Sequence, residues 1–199
     1  NLARFCFAKN DADLGEAYRL LGETKLAIES LERSIELDPE LANSYTSLGV
    51  IYDSQDLLVK AVEYHRKAIN LAPDHYIAYN NLGHAYDRLG LIKAAIANYE
   101  KAIKLQYNFS PAYDNLGTDY LNIGQVELAI EMIQKAISYA DKNDPQIALY
   151  YNDLGAAYVM QKEYFKAFNA FKRAVDIMPQ NEDIMRNFQY IKDYLDKQQ

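Results

Sequence analysis

Apolar residues along this chain recur three and four positions apart, which is the spacing of one face of an α-helix. The segment from residue 76 to 105 shows the pattern clearly, with Tyr79, Leu82 and Tyr86 in one stretch and Ile92 and Ile96 in the next. Polar and charged residues fill the positions between them, so each stretch has an apolar and a polar face. No stretch is predicted to be a strand. The pattern therefore predicts an all-α protein.

The helical pattern itself repeats along the chain. A Leu-Gly pair with a Tyr three residues after the Gly marks each period, and the pairs are Leu14-Gly15, Leu48-Gly49, Leu82-Gly83, Leu116-Gly117 and Leu154-Gly155. Successive pairs are 34, 34, 34 and 38 residues apart, and an alanine stands twelve positions after each Gly. A fixed period of this length is typical of stacked repeats, none of which buries its apolar face alone.

The glycines indicate what each period contains. All eight fall on two places in the period. At the Leu-Gly pair, the missing side chain lets two helices approach closely. Seven residues later, Gly22, Gly90 and Gly124 stand where a left-handed backbone would end a helix. Each period is therefore predicted to be two helices joined by a turn.

Leu-Gly, Tyr, Ala and a closing Pro over 34 residues resemble the tetratricopeptide repeat. The resemblance implies an all-α, right-handed superhelical solenoid of antiparallel helix pairs. We divide the chain into an N-terminal extension (1–7), five repeats and a C-terminal capping helix (182–199). A four-residue insertion precedes the last repeat, and the repeats are 8–41, 42–75, 76–109, 110–143 and 148–181.

The resemblance also implies where a partner would bind. First helices line the concave side of such a solenoid, and positions opposite the Leu and Tyr stripe should face that groove. The predicted groove residues are Asn43, Ser47, Asp53, Asn80, Asn81, His84, Asp87, Arg88, Asp114, Asn115, Thr118, Asn122, Asn152 and Asp153. Acids outnumber bases at the groove positions. We therefore expect a protein or peptide partner of basic or mixed charge.

Asn81 and Asn115 occupy equivalent places in consecutive repeats. An amide there can donate and accept hydrogen bonds, so it could hold a peptide main chain without selecting its side chains. In the resembling family, asparagines at this place often do so. The alternative is that Asn is simply common in the repeat and solvated. The sequence leaves both interpretations open.

Composition excludes several classes of partner. The formal net charge is −7 at pH 7, which argues against nucleic acid, since its binders carry clustered Lys and Arg. No apolar run is long enough for a membrane span. Cys6 is the single cysteine, so an internal disulfide is excluded. We expect Cys6 to be a small buried apolar group and the protein to be cytoplasmic.

Motifs that carry catalytic chemistry are not found. His65, His75 and His84 lack the spacing of zinc ligands, and the isolated glycines cannot form a phosphate-binding loop. We predict no catalytic residue, no cofactor and no metal, and hence a protein that is not an enzyme. His65 is expected to be a core histidine. Asp119 stands where other repeats have a residue packed between helices, so its carboxylate would need a partner.

The predicted function is a non-catalytic protein–protein interaction module that acts as an adaptor or assembly scaffold. Two alternatives stay open. Leu2, Phe5 and Phe7 precede the first repeat with little polar covering; they would fold back, be covered by upstream chain, or let the protein form a homo-oligomer through its N-terminal edge. The chain could also be the targeting module of a larger enzyme, such as a glycosyltransferase that modifies Ser and Thr.

Overall fold

The computed structural model describes the backbone of residues 2–198 and the side chains of residues 3–198. Asn1, the side chain of Leu2, and Gln199 lie outside the described residues. Within this range the chain forms helices and no strand. In order they are α1 (Leu2–Leu20), α2 (Thr24–Leu37), α3 (Ala42–Ser54), α4 (Leu58–Leu71), α5 (Tyr76–Arg88), α6 (Ile92–Leu105), α7 (Ser110–Asn122), α8 (Val126–Tyr139), α9 (Ile147–Met160), α10 (Tyr164–Ile177) and α11 (Glu182–Asp196). The predicted all-α helical repeat fold is confirmed.

Consecutive helices form hairpins joined by short turns, and the two helices of each hairpin pack on each other. The Leu-Gly glycines lie at these contacts. A Cβ at Gly83 would lie 2.6 Å from Cε1 of Tyr99, so only glycine lets α5 and α6 approach this closely. Gly90 ends the turn after α5 with φ of +74°, as predicted. Asp56 holds the equivalent place in the preceding repeat with φ of +62°.

The chain forms two compact units, Asn1–Leu105 and Gln106–Gln199. The core of the first unit contains Leu31 of α2 and Leu48 and Ile51 of α3, all at most 2% exposed, with the partly buried Tyr18 and Tyr64 against it. These contacts bury the apolar faces that the sequence pattern predicts.

The second unit has its own core. Ala167 and Phe171 of α10 pack with Ile191 of α11, and Phe188 stacks on Phe168 with ring centroids 5.2 Å apart. Asn181 caps α11, since its Oδ1 accepts hydrogen bonds from the N–H groups of residues 183 and 184 at 3.1 Å. The helix proposed as a cap thus packs on α10 along its apolar stripe.

The residues that precede the first repeat continue its first helix towards the N-terminus. Residues 2–7 form the first turns of α1, which makes α1 longer than the other first helices. Phe5 and Phe7 are 47% and 66% exposed, so they do not fold back onto the first repeat. Cys6 is exposed, and the expectation that it is buried is wrong, because it lies on the outward side of this helix.

Candidate functional site

The first unit contains a cavity of about 510 Å³ on the side formed by its first helices, α1, α3 and α5. This volume lies in the range of pockets that hold small ligands or a few residues of peptide. The lining residues are Phe5, Lys9, Ala12, Asp13, Glu16, Arg19, Leu31, Leu41, Asn43, Ser44, Thr46, Ser47, Val50, His75, Ile77 and Asn81. Helical spacing places them here, because Asn43, Ser47 and Val50 follow one another at intervals of four and three residues along α3.

An ion pair lies inside this cavity. Arg19 donates two hydrogen bonds to the Glu16 carboxylate, from Nε at 2.9 Å and from Nη2 at 2.6 Å. Ser47 Oγ donates to the same carboxylate at 3.1 Å from α3. The Arg19 guanidinium, with the Ser47 hydroxyl, lowers the pKa of Glu16 below its usual value. Glu16 is therefore an ionised carboxylate whose charge Arg19 already balances.

A second ion pair joins α3 and α5. Arg88 Nη1 donates to Asp53 Oδ2 at 3.0 Å, and Arg88 Nη2 lies 2.7 Å from Asp56 Oδ1. His84 Nδ1 is 3.3 Å from Asp53 Oδ2. The Asp53 side chain is only 17% exposed, so Arg88 neutralises a carboxylate that is largely out of water.

The predicted groove residues of the first unit separate into three environments. Asn43, Ser47 and Asn81 line the cavity. Asp53, His84 and Arg88 form the ion-pair cluster, while Asp87 is half-buried nearby on α5. Asn80 is only 8% exposed, and its Nδ2 donates to Asn81 Oδ1 at 3.5 Å.

Two carboxylates characterise the predicted groove residues of the second unit. Burial raises the pKa of Asp114 on α7 to about 8, and the negative charge of Asp153 adds to the shift. Burial raises the pKa of Asp153 on α9 to about 6, opposed by a hydrogen bond from Asn152. Asp114 Oδ1 is shielded from solvent and accepts no hydrogen bond from the described residues. The two side chains are thus nearby acids in a poorly solvated setting.

A chain of amides orients Asp153. Asn187 Nδ2 on α11 donates to Asn152 Oδ1 at 2.8 Å, and Asn152 Nδ2 donates to Asp153 Oδ1 at 3.2 Å. Asn115 and Thr118 are half-buried on α7, and Asn122 at its end is exposed. The second unit therefore offers amide, hydroxyl and carboxyl groups on its first helices.

Thirteen of the sixteen cavity residues are not among the predicted groove residues, and they include Phe5, Leu31, Leu41, Ser44 and His75. Phe5 precedes Lys9 by four residues, so its place on the groove side of α1 would follow from helical spacing once residues 2–7 are known to be helical. The Nε2 atom of His75 forms a hydrogen bond with the Thr46 hydroxyl at 3.1 Å, and burial lowers the pKa of His75. Nothing in the repeat pattern identifies that contact.

Two buried polar residues that the sequence singles out lie in the cores. His65 is 1% exposed and packs against Gly49, which confirms that it is a core histidine. Its Nδ1 accepts no hydrogen bond from the described residues. Asp119 is also 1% exposed, on α7.

The described residues show neither a metal site nor a membrane helix. Among residues 2–198, no group of three or more His, Cys, Asp or Glu side chains is arranged to hold a metal ion. None of the helices in this range combines the length and apolar character needed to cross a bilayer.

Comparison with known families explains the repeated hairpins. A tetratricopeptide repeat model matches residues 40–108 and again residues 109–180, and a TPR repeat model matches residues 15–56. The chain belongs to the tetratricopeptide repeat family. Repeats of this family generally act as protein–protein interaction modules and are typically non-catalytic. No curated protein sequence matches the chain significantly.

Several solved tetratricopeptide repeat structures are similar to the chain. MamA is 28% identical with a TM-score of 0.67, over 87% of this chain and 93% of MamA. PilF of Pseudomonas aeruginosa is 21% identical with a TM-score of 0.84, over 98% of this chain and 87% of PilF. YrrB, described as a TPR protein with an unusual peptide-binding site, is 20% identical with a TM-score of 0.65, over 88% and 89% of the two chains. At these identities PilF and YrrB show the fold alone.

Proposed function

We propose that this tetratricopeptide repeat protein binds a segment of a partner protein against its first helices, and that it acts as an adaptor or assembly scaffold without catalysing a reaction. The observation that carries the proposal is the cavity of about 510 Å³ in the first unit. It combines amide and hydroxyl groups with apolar side chains, which is the composition that holds a peptide main chain and one of its side chains.

The polar and the apolar lining residues would bind different parts of the partner segment. Asn43, Ser47 and Asn81 present groups that can hydrogen-bond the main chain of an extended segment. Val50 and Ile77 offer the apolar surface on which one side chain of the segment would be buried. Glu16 and Arg19 balance each other's charge, so they favour neither an acidic nor a basic ligand.

The second unit supports a partner with basic residues. Asp114 and Asp153 lie on its first helices, and no salt bridge of the described residues involves either of them. A Lys or Arg side chain from the partner would pair with these carboxyls and favour their ionised form. We therefore propose a partner segment of basic or mixed charge.

The test is selection of peptides on the immobilised full chain, followed by measurement of Kd for the selected peptides by fluorescence anisotropy. We expect Asn81→Ala to raise Kd about 10-fold, because the variant loses one or two hydrogen bonds to the peptide. We expect Val50→Glu to raise Kd about 100-fold, because it places a charge on the apolar surface. Asn70→Ala is the matched control, because Asn70 is exposed on the second helix α4. Equal Kd values for wild type and both groove variants would contradict the proposal.

A cytoplasmic location is also proposed, on the basis of the single cysteine. Fractionation of cells that express the full-length protein tests this location, and recovery with a membrane or secreted fraction would contradict it.

A further inference from the structure

Helix α11, predicted as a cap, also continues the series of first helices. Asn187 follows Asp153 by 34 residues, which is the length of one repeat. It therefore has the place on α11 that Asp153 has on α9 and that Asn115 has on α7. Ile184 and Ile191, three residues before and four residues after it, are each 1% exposed and belong to the cores of the second unit. Asn187 is thus a half-buried polar residue on the packed side of α11, at a groove position.

The hydrogen bond of Asn187 fixes the orientation of the next amide. Asn187 Nδ2 donates to Asn152 Oδ1 at 2.8 Å, so the amide oxygen of Asn152 is turned towards α11. The Nδ2 group of Asn152 is then left to donate to Asp153 Oδ1, at 3.2 Å. We call these three residues the amide relay. Without Asn187, the amide of Asn152 would be free to flip and present its oxygen to the carboxylate, which it cannot bind.

The amide relay acts on one oxygen of Asp153 and leaves the other free. Oδ1 accepts the hydrogen bond from Asn152, whereas Oδ2 accepts none from the described residues. Burial raises the pKa of Asp153 to about 6, and the hydrogen bond from Asn152 keeps this pKa from rising further, because it favours the charged form. At neutral pH the relay therefore holds a half-buried side chain as a carboxylate with one oxygen available.

No cation of the described residues pairs with Asp153. On α7, burial and the charge of Asp153 raise the pKa of Asp114 to about 8, so this neighbour is mostly neutral at pH 7. None of the salt bridges among the described residues reaches Asp153 from α8, α10 or α11. Beside Asn187 on α11, Arg186 donates to Asp183 at 2.8 Å and is already paired. A Lys or Arg side chain of a partner is the group that would compensate this carboxylate.

We propose that Asn187 is a positioning residue of the binding site. Through Asn152 it holds Asp153 as an oriented carboxylate, whose Oδ2 pairs with a Lys or Arg side chain of the partner segment. Helix α11 is then part of the binding surface as well as a cap over the last repeat. This inference rests on the proposed function, because it concerns how the partner segment is bound.

The charge state of Asp153 tests the amide relay without any partner. We expect Asn187→Ala to raise the pKa of Asp153, measured in the full chain by NMR of the aspartate carboxyl carbons as a function of pH. Gln189→Ala is the matched control, since Gln189 is exposed on the same helix and donates to Asp193 at 2.6 Å. In an Asn152→Ala background, Asn187→Ala should have no further effect, because the relay is already broken. A pKa that Asn187→Ala changes equally in both backgrounds, or in neither, would overturn the relay.

Peptide binding tests the role of the amide relay in recognition. For a selected peptide that contains Lys or Arg, we expect Asn187→Ala to raise Kd about 5-fold at pH 6.5. The increase should be smaller at pH 8, where Asp153 is ionised in both proteins. With the basic residues of the same peptide replaced by Met, wild type and Asn187→Ala should bind equally, since no charge then pairs with Asp153.

The outcomes separate this inference from the proposed function. A Kd for the basic peptide that Asn187→Ala leaves unchanged would overturn the inference and leave the proposed function standing. An equal rise in Kd for the basic and the Met-substituted peptide would also overturn it, because Asn187 would then act only on the fold. Selection of no peptide at all would contradict the proposed function itself, and with it the pairing of Asp153 with a partner.

Discussion

Arg88 on α5 holds Asp53 on α3 across 35 residues of sequence, through Nη1 at 3.0 Å from Oδ2 and at 2.6 Å from the backbone oxygen of the same residue. These contacts join the first helices of two successive repeats. Because Asp53 is largely buried and its Oδ1 accepts no hydrogen bond from the described residues, Arg88 is the main group that compensates its charge. The pair therefore contributes more to stability than an exposed ion pair does.

Arg88→Ala tests this contribution. We expect the free energy of unfolding to fall by about 1–3 kcal/mol, since the mutation removes the guanidinium from a poorly solvated carboxylate and leaves it only His84, whose Nδ1 is 3.3 Å from Asp53 Oδ2. Urea denaturation followed by circular dichroism measures the change. Arg186→Ala removes an exposed pair with Asp183 and should change stability by less than about 0.5 kcal/mol. Equal effects of the two substitutions would contradict the assignment.

Gly83→Ala tests the close approach of α5 and α6. In an open helix this substitution would stabilise the protein by about 1 kcal/mol, because alanine is the better helix former. Here the new Cβ would lie 2.6 Å from Tyr99 Cε1, so we expect a loss of about 1–3 kcal/mol instead. Thermal and urea unfolding of wild type and Gly83→Ala show whether the substitution stabilises or destabilises the protein. The same substitution in a Tyr99→Ala background should cost less, since the ring it meets has been removed.

His65→Leu tests the buried imidazole. Burial, with smaller contributions from the charges of His84 and His75, lowers the pKa of His65 from 6.5 to about 4. Between these values the unfolded chain binds a proton that the folded chain does not, so this residue makes the protein lose stability as the pH falls from 6.5 to 4. We expect the stability gained with His65→Leu to be larger at pH 5 than at pH 7 by about 2 kcal/mol.

The measurement for His65 is a pair of urea titrations for each protein at the two pH values. His75→Leu serves as a comparison, because its pKa is lowered in the same direction but its ring is less buried. A stability difference between His65→Leu and wild type that is the same at both pH values would show that the imidazole titrates normally in the fold.

Asp114→Asn has the opposite pH dependence. Burial raises the pKa of Asp114 from 3.8 to about 8, so between these values the folded chain holds a proton that the unfolded chain has lost. The contribution of Asp114 to the stability of the wild type therefore falls as the pH rises through this window. We expect Asp114→Asn to stabilise the protein by about 1–3 kcal/mol at pH 8, with less gain at pH 5. Denaturant unfolding of wild type and Asp114→Asn at both pH values tests this prediction. A larger stabilisation by Asp114→Asn at pH 5 than at pH 8 would contradict the raised pKa of Asp114.

Much of the architecture could be predicted from the sequence. The five Leu-Gly pairs, the glycines at the turns and the apolar spacing identify the helices and the family, because each depends on contacts within one hairpin or between neighbours that repeat in phase. The place of Asn43, Ser47 and Asn81 on the groove side follows from the same spacing. The binding role of the groove stays a prediction.

What only the tertiary structure decided is the environment of each side chain. Asn80 and Asn81 are adjacent and chemically identical, yet the first is almost fully buried and the second lines the cavity. The raised pKa of Asp114 depends on how α7 and α9 exclude water, and the contact of Arg88 with Asp53 depends on how two hairpins stack. Helical periodicity determines which face of a helix a residue occupies, whereas burial and charge pairing depend on helices that are distant in sequence.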